Sequence, residues 1–177
     1  MSLNEELPDF NRLLGAARHS AVHLEMRDAY GVADEAGNFE AFKRGEWTEA
    51  RERIDRQPWL DLVTETIARG VLIRRARIVS EPVTDYIRYE HAGTQMNIDA
   101  GEQVRWLPRH QTIGIPLPGC DLWLIDRQLV QFHFWTGDGD WGVPSHALIE
   151  DPDVVRLCST AFEAVWERAT PHADYKV

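Results

Sequence analysis

Residues 71–82 are Val-Leu-Ile-Arg-Arg-Ala-Arg-Ile-Val-Ser-Glu-Pro, and this stretch decides the fold. β-branched residues stand at both ends of its apolar part, and Gly70 and Pro82 are residue types that commonly bound a strand. The preceding segment has apolar residues at helical spacing, so a helix, a short turn and a strand follow one another, as they do in α/β proteins. We therefore predict a central strand over residues 71–79.

The segments before this strand have the apolar spacing of amphipathic helices. Asp9 is expected to cap a first helix that extends to about residue 27, and a short second helix is expected to break at Gly45. Residues 46–57 are charged and are expected to be exposed. Pro58 suits the first turn of a third helix, which leads into the central strand.

The segments after the strand predict a sheet-rich C-terminal half. In order, we expect a helix over residues 83–95, strands at 103–107, 121–126, 129–135 and 143–149, and a helix that begins at Asp151 and Pro152. The whole chain, residues 1–177, is then expected to be a single domain with a mixed central sheet, flanking helices, a C-terminal β-hairpin or meander and a terminal helix. The fold class is α/β, with α+β as the alternative.

Composition disfavours several functional classes. A net charge of −10 and a pI near 5.1 disfavour direct binding of nucleic acid, because phosphate contacts need a basic face. No apolar run approaches the roughly 20 residues that cross a bilayer, and residues 1–8 are acidic and lack the features of a secretion signal. Cys120 and Cys158 have no zinc spacing and are too few for a disulfide framework. These features predict a cytoplasmic protein with no metal and no other cofactor.

Charged residues are concentrated on the predicted central strand and on the helix after it. The two-residue period of a strand places Arg75 and Arg77 on one face. Guanidinium groups in the interior need carboxylate partners, since a buried unpaired charge costs several kcal/mol. The expected partners and neighbours lie in the following helix or in the hairpin: Glu81, Asp85, Tyr86, Arg88, Tyr89, Glu90, Asp121 and Asp126.

This cluster allows three interpretations. At the carboxyl end of a central strand, an arginine fork that faces a cleft would suit a phosphate or carboxylate ligand, with Tyr86 in the lining. Alternatively, the same residues form a closed ion-pair network that fixes the helix after Pro82 to the sheet, or they form a contact surface for a protein. The first interpretation requires an arginine with a free donor in a cleft.

Two histidine patterns suggest further chemistry. His19 and His23 are four residues apart on the predicted first helix, where they could hold a metal, although surface or half-buried imidazoles are more common at that spacing. His133 lies on a predicted strand after Asp126, and the two could act as a general base with its carboxylate. The tryptophans around the hairpin suit the core or an association face: Trp123, Trp135 and Trp141.

Five motifs are spread over nearly the whole chain. They are Ser20-Ala-Val-His-Leu-Glu-Met-Arg-Asp-Ala-Tyr30, Trp59-Leu-Asp-Leu-Val63, Arg75-x-Arg77-x-Val79-Ser-Glu-Pro82-x-x-Asp85-Tyr-x-Arg-x-Glu90, Gly101-Glu102 and Asp121-x-Trp-Leu-x-Asp126. This set resembles an actinobacterial family known as domain of unknown function 6879. The resemblance implies an intracellular protein without an assigned activity, often encoded beside helix-turn-helix regulators. An actinobacterial source also agrees with the bias to arginine, which indicates high-GC codon usage.

The layout of residues 101–105 and 121–126 is similar to the phospholipase D-like fold, in which a helix and a short Gly-x-x-Val-Arg strand precede a strand that ends in Asp. Active members need His-x-Lys-x4-Asp, because the histidine attacks phosphorus while the lysine stabilises the phosphoryl charge. Neither Lys43 nor Lys176 stands two residues after a histidine. A phospholipase D-like fold would therefore be a degenerate copy here.

The leading functional hypothesis is a non-enzymatic regulatory or interaction module. It would sense an anionic small molecule, or bind a helix-turn-helix regulator or another protein, through the region from Arg75 to Glu90. The alternative is a hydrolase or transferase of phospholipase D-like descent that uses His133 and Asp126. A homodimer is also compatible with the sequence.

Overall fold

The computed structural model describes residues 9–177, in which seven strands form one sheet with helices on both faces. In chain order the elements are α1 (Phe10–Ala16), β1 (Ser20–Glu25), α2 (Ala36–Lys43), α3 (Glu49–Ala68), β2 (Leu72–Val79), α4 (Asp85–Asp99), β3 (Gln103–Pro108), β4 (Asp121–Ile125), β5 (Leu129–Trp135), β6 (Trp141–Ile149), α5 (Pro152–Arg168) and β7 (Thr170–Pro171). The predicted α/β class is thus confirmed. The acidic opening, residues 1–8, on which the prediction about secretion depends, lies outside the described residues.

The sheet is mixed, with the strand order β6-β5-β4-β1-β2-β3-β7. β2 pairs in parallel with both β1 and β3, so the prediction of a central strand is confirmed. β4 runs antiparallel to β1, and β5 and β6 continue from it as the predicted meander. As a result, the carboxyl ends of β1 and β2 and the amino end of β4 lie at the same edge of the sheet.

The alternation of β2 side chains separates two hydrophobic layers. Ala76 and Ile78 belong to a core that α5 covers with Phe162 and Val165. On the opposite face, Ile73 packs with residues of α1 and α3, and Val79 packs with residues of α4. Arg75 and Arg77 share this second face, as the period of two predicts.

The prediction of one helix over residues 9–27 is wrong. Asp9 does cap α1, since its carboxylate accepts a hydrogen bond from the amide of Asn11 at 3.2 Å, but the helix ends at Ala16. Residues Ser20–Glu25 form β1 instead, and four of its six residues are buried. Residues 22–25 do alternate between apolar and polar, but Ala17, Ala21 and Leu24 also continue the helical spacing of α1, so a segment this short is not distinguished from a helix by its pattern.

The expected boundary at Pro58 is also wrong. α3 begins at Glu49, capped by the hydroxyl of Thr48, and Pro58 lies inside the helix. The charged segment before it is therefore helical, and Glu52 within it is fully buried. No helix within residues 9–177 combines the length and apolar character needed to span a membrane.

Candidate ligand-binding site

A cavity of about 450 Å³ lies between the sheet and the helices α1 to α4. Pockets that hold small organic molecules have volumes of about 300–1,000 Å³. The strands contribute to its wall His23, Glu25, Arg75, Arg77, Asp121, Trp123, Gln131, His133, Trp135, Trp141 and His146. The helices contribute Phe10, Asn38, Asp55, Arg56, Trp59, Tyr86, Tyr89, Glu90 and Asn97, and the connection between β1 and α2 adds Tyr30, Val32 and Glu35. The cavity thus includes the carboxyl ends of β1 and β2, where α/β folds usually bind ligands.

Two of the three arginines of β2, Arg75 and Arg77, are paired with carboxylates in the floor of the cavity. Arg75 donates from Nε to Glu102 at 2.7 Å and from Nη1 to Glu25 at 3.3 Å. Arg77 donates from Nη2 to Glu90 at 2.6 Å, and its Nε lies 3.0 Å from a carboxylate oxygen of Glu25. Glu25 therefore bridges the two guanidinium groups.

A third arginine extends this network to α3. Arg56 contacts Glu52 at 2.7 Å, Glu90 at 3.3 Å and Glu35 at 3.6 Å. Glu52 also accepts hydrogen bonds from the hydroxyl of Tyr89, at 3.0 Å, and from the indole of Trp47. The ion-pair network therefore fixes both α3 and α4 to the sheet, and it forms one wall of the cavity.

Burial and charge act in opposite directions on the acids of the network. Burial alone would raise the pKa of Glu25, but the guanidinium groups of Arg77 and Arg75 outweigh it, and the pKa lies below its ordinary value. The pKa of Glu90 is likewise lowered, because Arg77 and Arg56 outweigh the effect of burial. Both carboxylates are thus held in the ionised form.

Three further carboxyl groups line the cavity: Asp55, which accepts a hydrogen bond from Asn38, Glu35, which Arg56 reaches only at 3.6 Å, and Asp121, which makes no ion pair with a lysine or arginine within residues 9–177. The hydroxyl of Tyr86 donates to Glu35 at 2.7 Å, and the hydroxyl of Tyr30 donates to Asp121 at 2.6 Å. Burial and the charge of Glu90 raise the pKa of Glu35 to about 7. Burial raises the pKa of Asp121 to about 6, although Tyr30 and the amide of Met26 both donate to its carboxylate.

Aromatic rings line the part of the cavity formed by β4, β5 and β6. The rings of Trp135 and Trp141 stack with centroids 3.7 Å apart, and the ring of His23 stacks on Trp123 at 4.2 Å. The ring of His133 lies near that of Trp141, at 5.7 Å. Burial lowers the pKa of His133 to about 4, so this imidazole is neutral at physiological pH.

Besides Nε of Arg77, which lies 3.0 Å from a carboxylate oxygen of Glu25, four residues of the lining carry a buried polar atom without a hydrogen-bond partner among residues 9–177. These atoms are Nδ1 of His23, Oδ1 of Asn97, Oε1 of Gln131 and Nε1 of Trp135. A buried polar atom that loses its hydrogen bonds to water costs about 1–3 kcal/mol, so such atoms are rare in folded proteins. Their concentration around one cavity marks it as the part of the described interior where a bound molecule could supply partners that the chain does not.

The structure brings together only part of the site proposed from the sequence. Arg75, Arg77, Tyr86, Glu90 and Asp121 all line the cavity. The other four proposed residues lie elsewhere. Glu81 is exposed and accepts a hydrogen bond from Tyr175, and Asp85 is exposed in the first turn of α4. Arg88 is half-buried and makes no ion pair within the described part of the chain.

Asp126 lies at the opposite end of β4 from Asp121. Its carboxylate accepts hydrogen bonds from the amides of residues 18, 19 and 20, at 2.8–2.9 Å, and thereby joins the start of β1 to the hairpin. His133 pairs in register with Asp121, so Asp126 and His133 are separated by the length of the hairpin. The geometry required for a general base supported by Asp126 is therefore not present.

The metal site suggested for His19 and His23 depended on a helix that does not form. His19 is exposed before β1, whereas His23 is buried within it. No group of three or more metal-binding side chains of His, Cys, Asp or Glu occurs within residues 9–177.

Several residues of the site could not be identified from the sequence alone. Glu25 and His23 were assigned to the first helix, and Arg56 to an exposed segment. If residues 20–25 had been recognised as a strand, Glu25 would have been a candidate for the site. It stands at the carboxyl end of that strand, in register with Arg77. Glu102 stands in a recognised motif, but no local pattern connects it with Arg75.

Two solved structures show the same fold at low sequence identity. The chain is similar to TrmBL2, an archaeal chromatin protein with a novel mode of DNA binding, with a TM-score of 0.50 and 14% identity over 90% of this chain and 48% of that one. It therefore spans about half the length of TrmBL2. It is also similar to Nuc from Salmonella typhimurium, a member of the phospholipase D family, with a TM-score of 0.53 and 10% identity over 94% of this chain and 88% of that one. The similarity to a phospholipase D-like fold is thus confirmed.

A match over nearly the whole chain shows the family to which it belongs. No protein with a curated description matches it. The model of one family matches residues 8–177, which include all five of the motifs quoted above. The chain therefore belongs to the family described as domain of unknown function 6879.

Proposed function

We propose that this protein is a non-enzymatic regulatory module that binds a small organic molecule in the cavity. The observation that carries the proposal is the set of four unpartnered polar atoms around a cavity of about 450 Å³ whose wall combines aromatic rings with charged side chains. Together they would offer a ligand the indole donor of Trp135, the acceptors of Asn97 and Gln131, and the imidazole nitrogen of His23. A few directed polar groups within apolar walls are characteristic of small-molecule sites.

The absence of one sequence motif supports a binding role over hydrolysis. None of the seven histidines is followed by the x-Lys of the phospholipase D motif, so the phosphoryl charge would lack its lysine. The arginines of the cavity do not replace it, since Arg56, Arg75 and Arg77 each contact two or more carboxylates. The same pairing weakens the earlier expectation of an anionic ligand.

Replacement of Trp135 by phenylalanine tests the binding proposal. The change keeps an aromatic ring but removes the indole donor, and we expect ligand affinity to fall about tenfold, the equivalent of one hydrogen bond. The protein would first be examined by native mass spectrometry for a co-purified molecule, and candidate compounds would then be titrated by calorimetry.

The matched control is Trp166→Phe. Trp166 is buried on the opposite face of the sheet, in the core under α5, and its substitution should leave the affinity unchanged. If no compound in a chemically diverse library binds the wild type, and the purified protein carries none, the proposal fails.

We further propose that the module acts on transcription through a protein partner, such as a helix-turn-helix regulator, rather than by touching DNA itself. In TrmBL2 the matching fold makes up about half of a DNA-binding chromatin protein. The net charge of −10 disfavours a direct contact of the present chain with phosphate groups.

Co-expression with a helix-turn-helix regulator from its gene neighbourhood, the kind of partner that the family resemblance implies, tests the partner proposal. We expect the two proteins to co-elute in gel filtration and the complex, but not the present chain alone, to retard the regulator's operator DNA. Retardation by the present chain alone, or separate elution of the two proteins at micromolar concentration, would overturn it.

A further inference from the structure

The charged side chains that line the cavity indicate which class of molecule it binds. This inference rests on the function proposed above. Five acids line the cavity, namely Glu25, Glu35, Asp55, Glu90 and Asp121, against the three arginines. Two more buried acids, Glu52 and Glu102, pair with Arg56 and Arg75 from behind. The negative groups therefore outnumber the positive ones, and an anion that entered would meet arginines already occupied by carboxylates.

The excess of negative charge is concentrated at one part of the wall. Glu35 and Asp121 are held mainly by the hydroxyls of Tyr86 and Tyr30, whose rings lie 6.0 Å apart. A hydroxyl donates a hydrogen bond but carries no charge, so it stabilises a carboxylate less than a cation does. Burial is the main cause of the raised pKa of both acids. Arg56, which Glu35 shares with Glu52 and Glu90, only partly offsets it at 3.6 Å, and Asp121 makes no ion pair with a lysine or arginine within residues 9–177.

An aromatic surface adjoins these two acids. The ring of Tyr30 lies 5.0 Å from that of Trp135, which in turn stacks on Trp141. Tryptophan and tyrosine faces attract cations, with tryptophan the strongest. Arg75 and Arg77 stand near the rings of Trp123 and Trp106, but no lysine or arginine within residues 9–177 stands over Tyr30, Trp135 or Trp141.

We propose that the ligand is an organic cation, a protonated amine or a quaternary ammonium compound, whose charged group lies among Tyr30, Trp135, Trp141, Asp121 and Glu35. The aromatic rings would surround the cation, and the two carboxylates would neutralise it. The unpartnered amides of Asn97 and Gln131 would then contact the polar remainder of the molecule. Acids and aromatic rings around an ammonium group form the arrangement by which proteins recognise such cations.

Matched small probes test the charge of the ligand. Choline and benzyltrimethylammonium would be compared with dimethylbutanol, which is the uncharged isostere of choline, and with benzoate and inorganic phosphate. The readouts are tryptophan fluorescence and the thermal unfolding midpoint. We expect at least one cation to give saturable changes, and its uncharged counterpart to bind at least about tenfold more weakly. The two anions should give no saturable change.

The double variant Glu35→Gln/Asp121→Asn separates the charge effect from the shape of the site. Glutamine at position 35 keeps an acceptor for the hydroxyl of Tyr86, and asparagine at position 121 keeps one for the amide of Met26 while its NH2 group can donate to the hydroxyl oxygen of Tyr30, so the fold should be retained. We expect cation affinity to fall about tenfold or more, whereas the affinity for an uncharged compound should not change. The exposed pair Glu40→Gln/Asp138→Asn alters the same net charge at the surface and should leave cation binding intact.

The outcomes distinguish this inference from the function on which it rests. If benzoate, phosphate or dimethylbutanol binds as tightly as the cations, and Trp135→Phe weakens that binding, the cavity is a ligand site but the assignment of a cation is wrong. If neither cation nor any other probe binds, and native mass spectrometry finds no retained molecule, both proposals are overturned.

Discussion

Replacement of Arg77 by methionine is expected to lower the free energy of unfolding by about 3–5 kcal/mol. The side chain is almost fully buried, and its guanidinium group lies between Glu25 and Glu90. Methionine retains much of the apolar volume beside Trp106 but leaves two buried carboxylates without their principal cation. The measurement is urea unfolding at pH 7, followed by fluorescence and circular dichroism.

A second variant shows whether unpaired charge causes the loss. Arg77→Met leaves the carboxylates of Glu25 and Glu90 without their principal cation. The additional substitution Glu90→Gln removes one of these two charges, so the double variant should be more stable than Arg77→Met alone. The control is Arg156→Met, in which an exposed guanidinium loses only a surface contact with Asp153. It should change stability by about 0.5 kcal/mol or less. Equal losses for Arg77→Met and Arg156→Met would show that the network contributes little.

The sequence was sufficient to place Arg75 and Arg77 but not to choose their partners. The period of two in residues 71–79 is a local property, so it assigns both arginines to the same face without knowledge of the rest of the fold. Their acids come from β1, α4 and the turn before β3. Which of several nearby acids pairs with an arginine depends on strand order and direction, which no local pattern determines.

Strand direction explains why Asp121 lines the site and Asp126 does not. Both residues flank the same predicted strand, and the sequence could not rank them. Because β4 runs antiparallel to β1, the start of β4 meets the end of β1, and Asp121 lies close to Glu25 and Tyr30. The end of β4 lies at the opposite edge, where Asp126 binds the amides that begin β1.

The cavity also changes the choice between two of the early interpretations of the arginine cluster. A closed ion-pair network and a ligand pocket were considered as alternatives, because a paired arginine has no free charge for an anion. The network is in fact one wall of the cavity, and other groups supply the remaining surface. Those groups come from β4 to β6 and from the segment around Tyr30. The sequence suggests site roles there for Asp121 and His133 but assigns the tryptophans only to the core or to an association face.

Substitution of Glu35 by glutamine is expected to change the pH dependence of stability. The pKa of Glu35 is about 7 in the folded protein because of burial and the charge of Glu90, and its ordinary value is 4.5. Between these pH values the folded state binds a proton that the unfolded state releases, so the wild type loses stability as the pH rises. Arg56 and Tyr86 also face this carboxyl and partly offset the effect.

Glu35→Gln removes this loss, because glutamine does not ionise and can still accept a hydrogen bond from Tyr86. Relative to the wild type, the variant should gain about 2 kcal/mol between pH 5 and pH 8, somewhat less than the full pKa difference because Glu35 is partly exposed. Urea unfolding of both proteins at intervals of one pH unit measures the difference.

Glu163→Gln provides the opposite sign for comparison. Hydrogen bonding to Arg74 lowers the pKa of Glu163, so its contribution is present above the ordinary pKa of 4.5 and is lost only at lower pH. The variant should therefore be less stable than the wild type by a constant amount from pH 5 to pH 8. A constant difference for Glu35→Gln as well would mean that Glu35 is ionised throughout this range. Arg56 would then suffice to hold this carboxyl ionised, and the cavity would lose one of the two acids proposed to neutralise a bound cation.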